Sequence, residues 1–318
     1  MTTQNIPVVF AADDNYVPYM GVAIQSIIEN ANPKNRYEIF ILTRGFSEIY
    51  TQTLASMQTS NVKIEQIDIT KHFTESVTKD LHISGHVTTA AYFRLLIPQI
   101  FRKYDKIIYL DCDLVLTRDI AELFNTDVSN YYMAAIRDIG LVATSEKYPD
   151  TEYFCGTLGL PSVTEYFNSG VLVYNLSEMR KDHIDCDAIT TMQTLTTPRF
   201  HDQCILNKIC KGHVKYLAMN WNYWGNFKYD CPDYKNYFPE KYISEFNAAS
   251  ENPYCIHYKP WLNPYVEYAY VFWNYARKSP FYEIILFENI IKKAEHVIND
   301  KFMVKRKTRR VFAWHRKK

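Results

Sequence analysis

The sequence predicts one large α/β domain with a small helical, basic annex at its C-terminal end, and three observations carry that prediction. Short apolar runs of strand length alternate with helix-like stretches along the N-terminal part, the rhythm of a parallel sheet with helices on its faces. A chain of 318 residues, 47% hydrophobic and 15% aromatic, buries a sizeable core without help from disulfides or metal. After Trp261 the character changes: Lys292 to Lys318 holds eleven Lys or Arg against two acids, so a net charge of +1 divides into −8 over residues 1–291 and +9 over the tail. The boundary is placed between a body of residues 1–262 and an annex of residues 263–318.

The first strand is Ile6–Ala12, too short for an ordinary helix and ended by Asp13-Asp14-Asn15. A helix-like stretch covers Gly21–Ile28, Tyr37–Thr43 is a strand, Ser47 leads a helix, and Val62–Ile67 is the third strand. Val87–Ile97 reads as a short helix stopped before Pro98, since the residue ahead of a proline is pushed out of helical geometry. Asp105–Leu110 is a strand that delivers Asp111-Cys112-Asp113 at its carboxyl end, where ligands of such folds bind. Tyr131–Ile136 and Gly170–Tyr174 are further strands, the second preceded by an Asn168-Ser169-Gly170 turn, while Thr164–Phe167 is ambiguous. Asp202–Ile209 is a short helix, and Met219–Tyr242, rich in Trp, Tyr, Asn, Asp and Pro, is a long structured loop. Pro280 opens a helix in which Phe281, Ile284, Phe287, Ile291, Ala294 and Ile298 recur at helical spacing.

Composition excludes several classes of function. The N-terminus lacks the basic flank and cleavage site of a signal peptide, and no run of eighteen apolar residues offers a membrane span. Seven scattered cysteines without a Cys-x-x-Cys pair suit a reducing compartment, so a cytoplasmic location is expected. No glycine-rich dinucleotide fingerprint and no Walker loop occur. An acidic body gives nucleic acid no electrostatic help, so no nucleic-acid partner is expected.

Asp111 and Asp113 offer hard oxygen ligands for Mn²⁺ or Mg²⁺, provided that the chain turns at Asp111; the other reading is a pair of turn or helix-cap acids. Asp13-Asp14-Asn15 suits either hydrogen bonding to a base and ribose or an Asx turn. In His257-Tyr258-Lys259-Pro260-Trp261 the imidazole can complete a metal site and the ammonium can meet phosphate, or the segment is a Trp-anchored surface turn. Asp202-Gln203 can meet sugar hydroxyls, cap a helix, or do both.

Taken in order, Phe10–Tyr16, Arg94, Ile108–Asp113, Tyr166–Val171, His201-Asp202-Gln203 and His257–Trp261 resemble glycosyltransferase family 8, which contains glycogenin and the bacterial lipopolysaccharide galactosyl- and glucosyltransferases. The resemblance spans about residues 6–261 and implies a GT-A type nucleotide-sugar-binding fold with a mixed central sheet. It also implies metal-dependent transfer of galactose or glucose from UDP-galactose or UDP-glucose to an acceptor hydroxyl with retention. It makes Asp111, Asp113 and His257 the Mn²⁺ ligands, Ala11, Asp13 and Asn15 the uridine and ribose pocket beside Cys112, and Lys259 the diphosphate contact. Arg94, Asp111, Asn168, Asp202 and Gln203 grip the donor sugar, with Gln203 on the reactive face; an amide is a poor nucleophile, so front-face attack assisted by the departing UDP oxygen is expected. Asp138 and His86 match acceptor-side positions.

One departure stands out: the family often carries a Gly-containing insert before Lys-Pro-Trp, and here Tyr258 joins Lys259 directly. The tail from Lys301 to Lys318, with nine Lys or Arg, no acid, and Phe312 and Trp314, resembles family members that work at the inner face of the bacterial envelope. It is expected to meet an anionic membrane surface, against the alternative of a frayed soluble tail. The implied acceptor is a bacterial surface glycan or lipid-linked glycan. Competing readings are a self-glucosylating primer of glucan synthesis and a sugar-nucleotide-binding protein without turnover.

Overall fold

The computed structural model describes residues 3–72, 89–145, 150–195, 198–236 and 238–291. Its strands in chain order are β1 (Asn5–Ala11), β2 (Arg36–Thr43), β3 (Val62–Asp68), β4 (Lys106–Leu110), β5 (Leu114–Leu116), β6 (Met133–Arg137), β7 (Phe167–Asn175), β8 (Val214–Tyr216), β9 (Tyr223–Trp224) and β10 (Cys255–His257). Seven form the main sheet in the order β3-β2-β1-β4-β7-β6-β8, and β5-β10-β9 form a second, smaller one.

The first four strands of that order pair in parallel, as the N-terminal rhythm predicts. Their residues alternate between two cores. Ile6, Val8 and Phe10 of β1 face one layer and Val9 and Ala11 the other; Ile108 and Leu110 of β4 divide from Ile107 and Tyr109 in the same way. Burial on both faces is why β1 and β4 read as unbroken apolar runs, whereas β3 at the sheet edge alternates with Lys63 and Glu65. The sheet as a whole is mixed, not parallel, because β7 runs antiparallel to both β4 and β6. β6 ends beside the start of β7, Arg137 opposite Phe167, so the pair needs no crossover of the kind that a parallel neighbour requires. The result is the GT-A-like arrangement, a mixed central sheet with helical flanks.

Several local expectations change. The helix after β1 spans Val17–Asn30, longer than its apolar stripe, with Pro18 in its first turn. Thr89–Leu96 is a 3-10 helix, and Pro98 lies in the first turn of the next short helix, Ile97–Ile100, where its missing N–H costs nothing. Asn168-Ser169-Gly170 is not a turn but the start of β7, at a register shift opposite Ala135 and Ile136. The expected long loop is broken into the 3-10 turn Met219–Asn222, β9 and the helix Phe227–Asp230, and Tyr242 belongs to the helix Glu240–Glu251. Aromatic packing of Phe227, Tyr234, Phe238 and Phe246 holds that region, which carries no periodicity for a sequence reading to detect.

Past Trp261, the helix Ala269–Ala276 and a helix over 282–291 pack on Val17–Asn30. Gly21 is the contact point: the Phe281 ring occupies the place a side chain would take. Phe281 and Ile285 are buried, but Phe287 and Ile291 of the expected apolar stripe are exposed, together with Leu286 and Ile290. The stripe turns away from the core because only its first part reaches Val17–Asn30. Ala294, Ile298 and the basic tail lie outside the described residues.

Candidate active site

The chain turns directly after β4, so Asp111 and Asp113 do converge. From there β5 leaves the main sheet and pairs antiparallel with β10, placing Leu114 opposite His257. Tyr258 N–H donates to the Asp113 carbonyl oxygen at 3.0 Å, which locks the two segments together. One ligand atom each from Asp111, Asp113 and His257 lies within 4.8 Å of the others. β7, being antiparallel, begins at the edge where β1 and β4 end, and so brings Asn168, Ser169 and Gly170 to the same place.

Arg94 organises the floor. Its buried guanidinium pairs with Asp111 Oδ1 at 2.9 Å and Asp202 Oδ2 at 3.0 Å, donates to the Ser169 carbonyl at 2.6 Å, and lies over the Tyr109 ring at 4.4 Å. Tyr109 also donates to Asp111 Oδ1 at 3.0 Å, which leaves Oδ2 directed toward the Cα of Gly170. A methyl at residue 170 would sit 2.8 Å from Asp111 Oδ2, 3.0 Å from Asn168 Oδ1 and 3.2 Å from His257 Cε1. Glycine keeps that space clear.

The electrostatics are those of buried, opposed charges. Burial would raise the Asp113 carboxyl, but His257 Nε2 at 3.0 Å and Lys259 Nζ at 3.3 Å hold it well below the usual carboxylate range. Burial would lower the His257 imidazole, yet Asp113 raises it. Asp202 behaves oppositely: burial pushes its carboxyl up to about 6, with Arg94 opposing the rise. The Cys112 thiol is pushed well up by burial and donates to the Ala11 carbonyl at 3.3 Å, so it packs rather than ligates.

Two cavities meet at Asp113 and Lys259. The first, about 200 Å³, is lined by Ala11, Asp13, Arg94, Asp111, Cys112 and by Tyr16 and Tyr109. Asn15 is not among them: its side chain is exposed, and its N–H donates to Asp13 Oδ1 at 3.1 Å in an Asx turn. The second, about 410 Å³, is lined by Asp138, Asn168 and His257 together with Arg137, Asn222 and Trp224. Asp202 and Gln203 line neither; they lie behind, at the start of the helix His201–Cys210. Gln203 Nε2 donates to Asp138 Oδ2 at 3.1 Å and its Oε1 accepts from Ser169 N–H at 2.9 Å, so both ends of the amide are committed. Asp202 does not cap its helix through its side chain, and Phe200 occupies the cap position. His86 lies outside the described residues. Sequence reasoning passed over Ser169, Tyr109, Asn222 and Trp224. Tyr109 stands inside the Ile108–Asp113 motif and Ser169 inside Tyr166–Val171, whereas nothing in the aromatic segment singles out Asn222 or Trp224.

The donor set fits a divalent cation: two carboxylates and one imidazole around a space that a Cβ at residue 170 would fill. When bound, such a cation supplies positive charge against a phosphate-bearing leaving group.

The geometry agrees with what the chain resembles. A putative glycosyltransferase of Haemophilus influenzae is 30% identical over 223 residues, covering 70% of this chain and 64% of that protein. The lipopolysaccharide 1,2-glucosyltransferase of Escherichia coli is 28% identical over 304 residues, covering 89% of this chain and 81% of that one. The solved structure of the bifunctional glycosyltransferase WbbM superposes with a TM-score of 0.79 at 28% identity, over 89% of this chain and 51% of that chain. The chain thus spans less than two thirds of the Haemophilus protein and about half of WbbM. The model of glycosyl transferase family 8 matches residues 7–264, a span that runs from β1 past His257 and takes in the whole carboxylate–imidazole cluster, and the chain belongs to that family.

Proposed function

We propose that this chain is a metal-dependent, retaining glycosyltransferase that moves galactose or glucose from UDP-galactose or UDP-glucose to a hydroxyl of a bacterial surface glycan or lipid-linked glycan. The observation that carries this reading is the Asp111–Asp113–His257 cluster at the junction of the two cavities. A nucleotide in the first cavity and an acceptor in the second would meet there, with Mn²⁺ or Mg²⁺ held by those three residues. The relative named as a lipopolysaccharide 1,2-glucosyltransferase supports the acceptor class.

In this reading Ala11 and Asp13 border the nucleoside, and Lys259 stands at the diphosphate. Arg94 fixes Asp111 and, with Asp202 and Ser169, forms a rigid charged floor under the sugar. Because the Gln203 amide is hydrogen-bonded at both ends, it positions Asp138 and the β7 backbone and performs no nucleophilic attack. That favours front-face delivery of the acceptor hydroxyl from the second cavity, with the departing UDP oxygen taking its proton. Lys259 lies 3.3 Å from Asp113 although no insert precedes it.

The protein would work in the cytoplasm at the inner face of the membrane, with residues 263–318 as an attachment annex. The exposed Leu286, Phe287, Ile290 and Ile291 lead directly into the basic tail and support that placement. Among the described residues no helix is long and apolar enough to cross a membrane. The deciding experiment is UDP release from a panel of UDP-sugars with and without Mn²⁺, using lipooligosaccharide and lipid-linked acceptors and determining linkage by NMR. No metal-dependent release from any UDP-hexose would sink the reading.

A further inference from the structure

Asn222 ends the 3-10 turn Met219–Asn222 just ahead of β9 and is 8% exposed. Its orientation follows from a chain of hydrogen bonds that starts at a backbone N–H. Gly170 N–H donates to the Asn168 side chain at 2.9 Å, so the atom there is Oδ1. The same oxygen lies 2.8 Å from the Asn222 amide, so the atom facing it is the donor, Nδ2. Asn222 therefore cannot flip without setting two carbonyl oxygens against each other. Its Oδ1 is left buried, with no hydrogen-bond partner among the described residues. A buried carbonyl oxygen is destabilising unless a ligand or water satisfies it.

Asn222 and Trp224 both line the second cavity, where Trp224 is only half-buried. A flat indole beside a fixed neutral acceptor suits a sugar ring, whose C–H face packs on the aromatic while a hydroxyl donates to the carbonyl. We propose that Asn222 is a specificity-determining residue whose Oδ1 accepts a hydrogen bond from one hydroxyl of a saccharide seated against Trp224. This rests on the reading above in treating the second cavity as the acceptor side. Through Asn168 Nδ2, 3.5 Å from Asp138 Oδ2, and Gln203, the seat connects to the floor around Arg94.

The test is a cycle between protein and sugar. Binding of methyl β-D-galactopyranoside, methyl β-D-glucopyranoside and each of their single-deoxy derivatives is titrated by saturation-transfer-difference NMR, on the full chain with UDP and Mn²⁺ present. Removing one particular hydroxyl should weaken binding to the unmodified protein about fivefold to tenfold, the loss of one neutral hydrogen bond. Asn222→Ala should lose that discrimination at that hydroxyl and keep it at the others, and Asn222→Leu, close in shape but without the acceptor oxygen, should do the same. A merely structural asparagine would weaken all sugars alike in both variants. No hydroxyl coupled to residue 222, or no binding of either glycoside by the unmodified protein, overturns the proposal. Calorimetric titration with UDP and Mn²⁺ separates the two readings: absent nucleotide binding with the coupling intact sinks the proposed transfer reaction alone, and the reverse sinks only the Asn222 seat.

Discussion

Replacing Arg94 by Ala tests whether the charged floor is a single unit. Arg94 is 5% exposed, and its removal strands Asp202, also 5% exposed, and deprives Asp111 of its 2.9 Å partner. Breaking a buried pair from one side typically costs about 3–5 kcal/mol, because the remaining charge is left in a low dielectric. That is a large part of the roughly 5–15 kcal/mol by which a domain is stable. The loss should depend on pH. Burial already raises the Asp202 carboxyl to about 6, against Arg94, so removing Arg94 raises it further. A carboxyl whose folded-state value lies above its unfolded value binds more protons when folded, so its contribution to stability falls as pH rises through that interval. The gap between variant and unmodified protein should therefore be smaller near about pH 5, where Asp202 is mostly neutral in both and the lost Asp111 and Ser169 contacts remain, and widen above 6. Urea unfolding followed by tryptophan fluorescence at pH 5 and pH 8 measures it. A gap under about 1 kcal/mol at pH 8, or one equal at both pH values, would refute the argument.

Four further outcomes follow from the same geometry. Asp113→Ala should abolish Mn²⁺ binding by calorimetry and metal-dependent UDP release; unchanged Mn²⁺-dependent kinetics in a folded variant would remove the ligand assignment. Gly170→Ala places a methyl against Asp111, Asn168 and His257 and should weaken metal binding at least tenfold with circular dichroism unchanged, a roughly 1.4 kcal/mol effect. If the carboxylate form of Asp202 supports the reacting sugar, UDP-sugar hydrolysis should climb with pH around 6 and that limb should vanish in Asp202→Asn, with turnover reduced more than UDP affinity; equal losses would mark a purely structural carboxylate. Deleting residues 301–318 should release the protein from anionic vesicles, and added salt should do so in part, while hydrolysis in solution persists; salt-insensitive vesicle binding after the deletion would exclude the tail as anchor.

The pattern of residues by itself determined the α/β class, the position of β1 to β4 and the two acids at the end of β4, because short apolar runs of strand length and a polar stop are local signals. The carboxyl-end rule points to the same edge of the sheet at which the Asp111–Asp113–His257 cluster lies. What the local signals could not reach was direction and distance. An apolar run such as Gly170–Tyr174 reads alike in a parallel or antiparallel strand, so the antiparallel placing of β7, which carries Asn168 and Gly170 to the site, came only from the sheet. Asp13 and Asn15 looked equivalent in sequence, yet the Asx turn sends one to the cavity and the other to solvent. His257 comes to Asp113 across nearly half the chain through β5 and β10, strands of three residues each, too short for periodicity to announce. Asn222 is the extreme case: its chemistry depends on which end of its amide is used, and that is decided by Gly170, fifty-two residues earlier, through a hydrogen bond that no local pattern encodes.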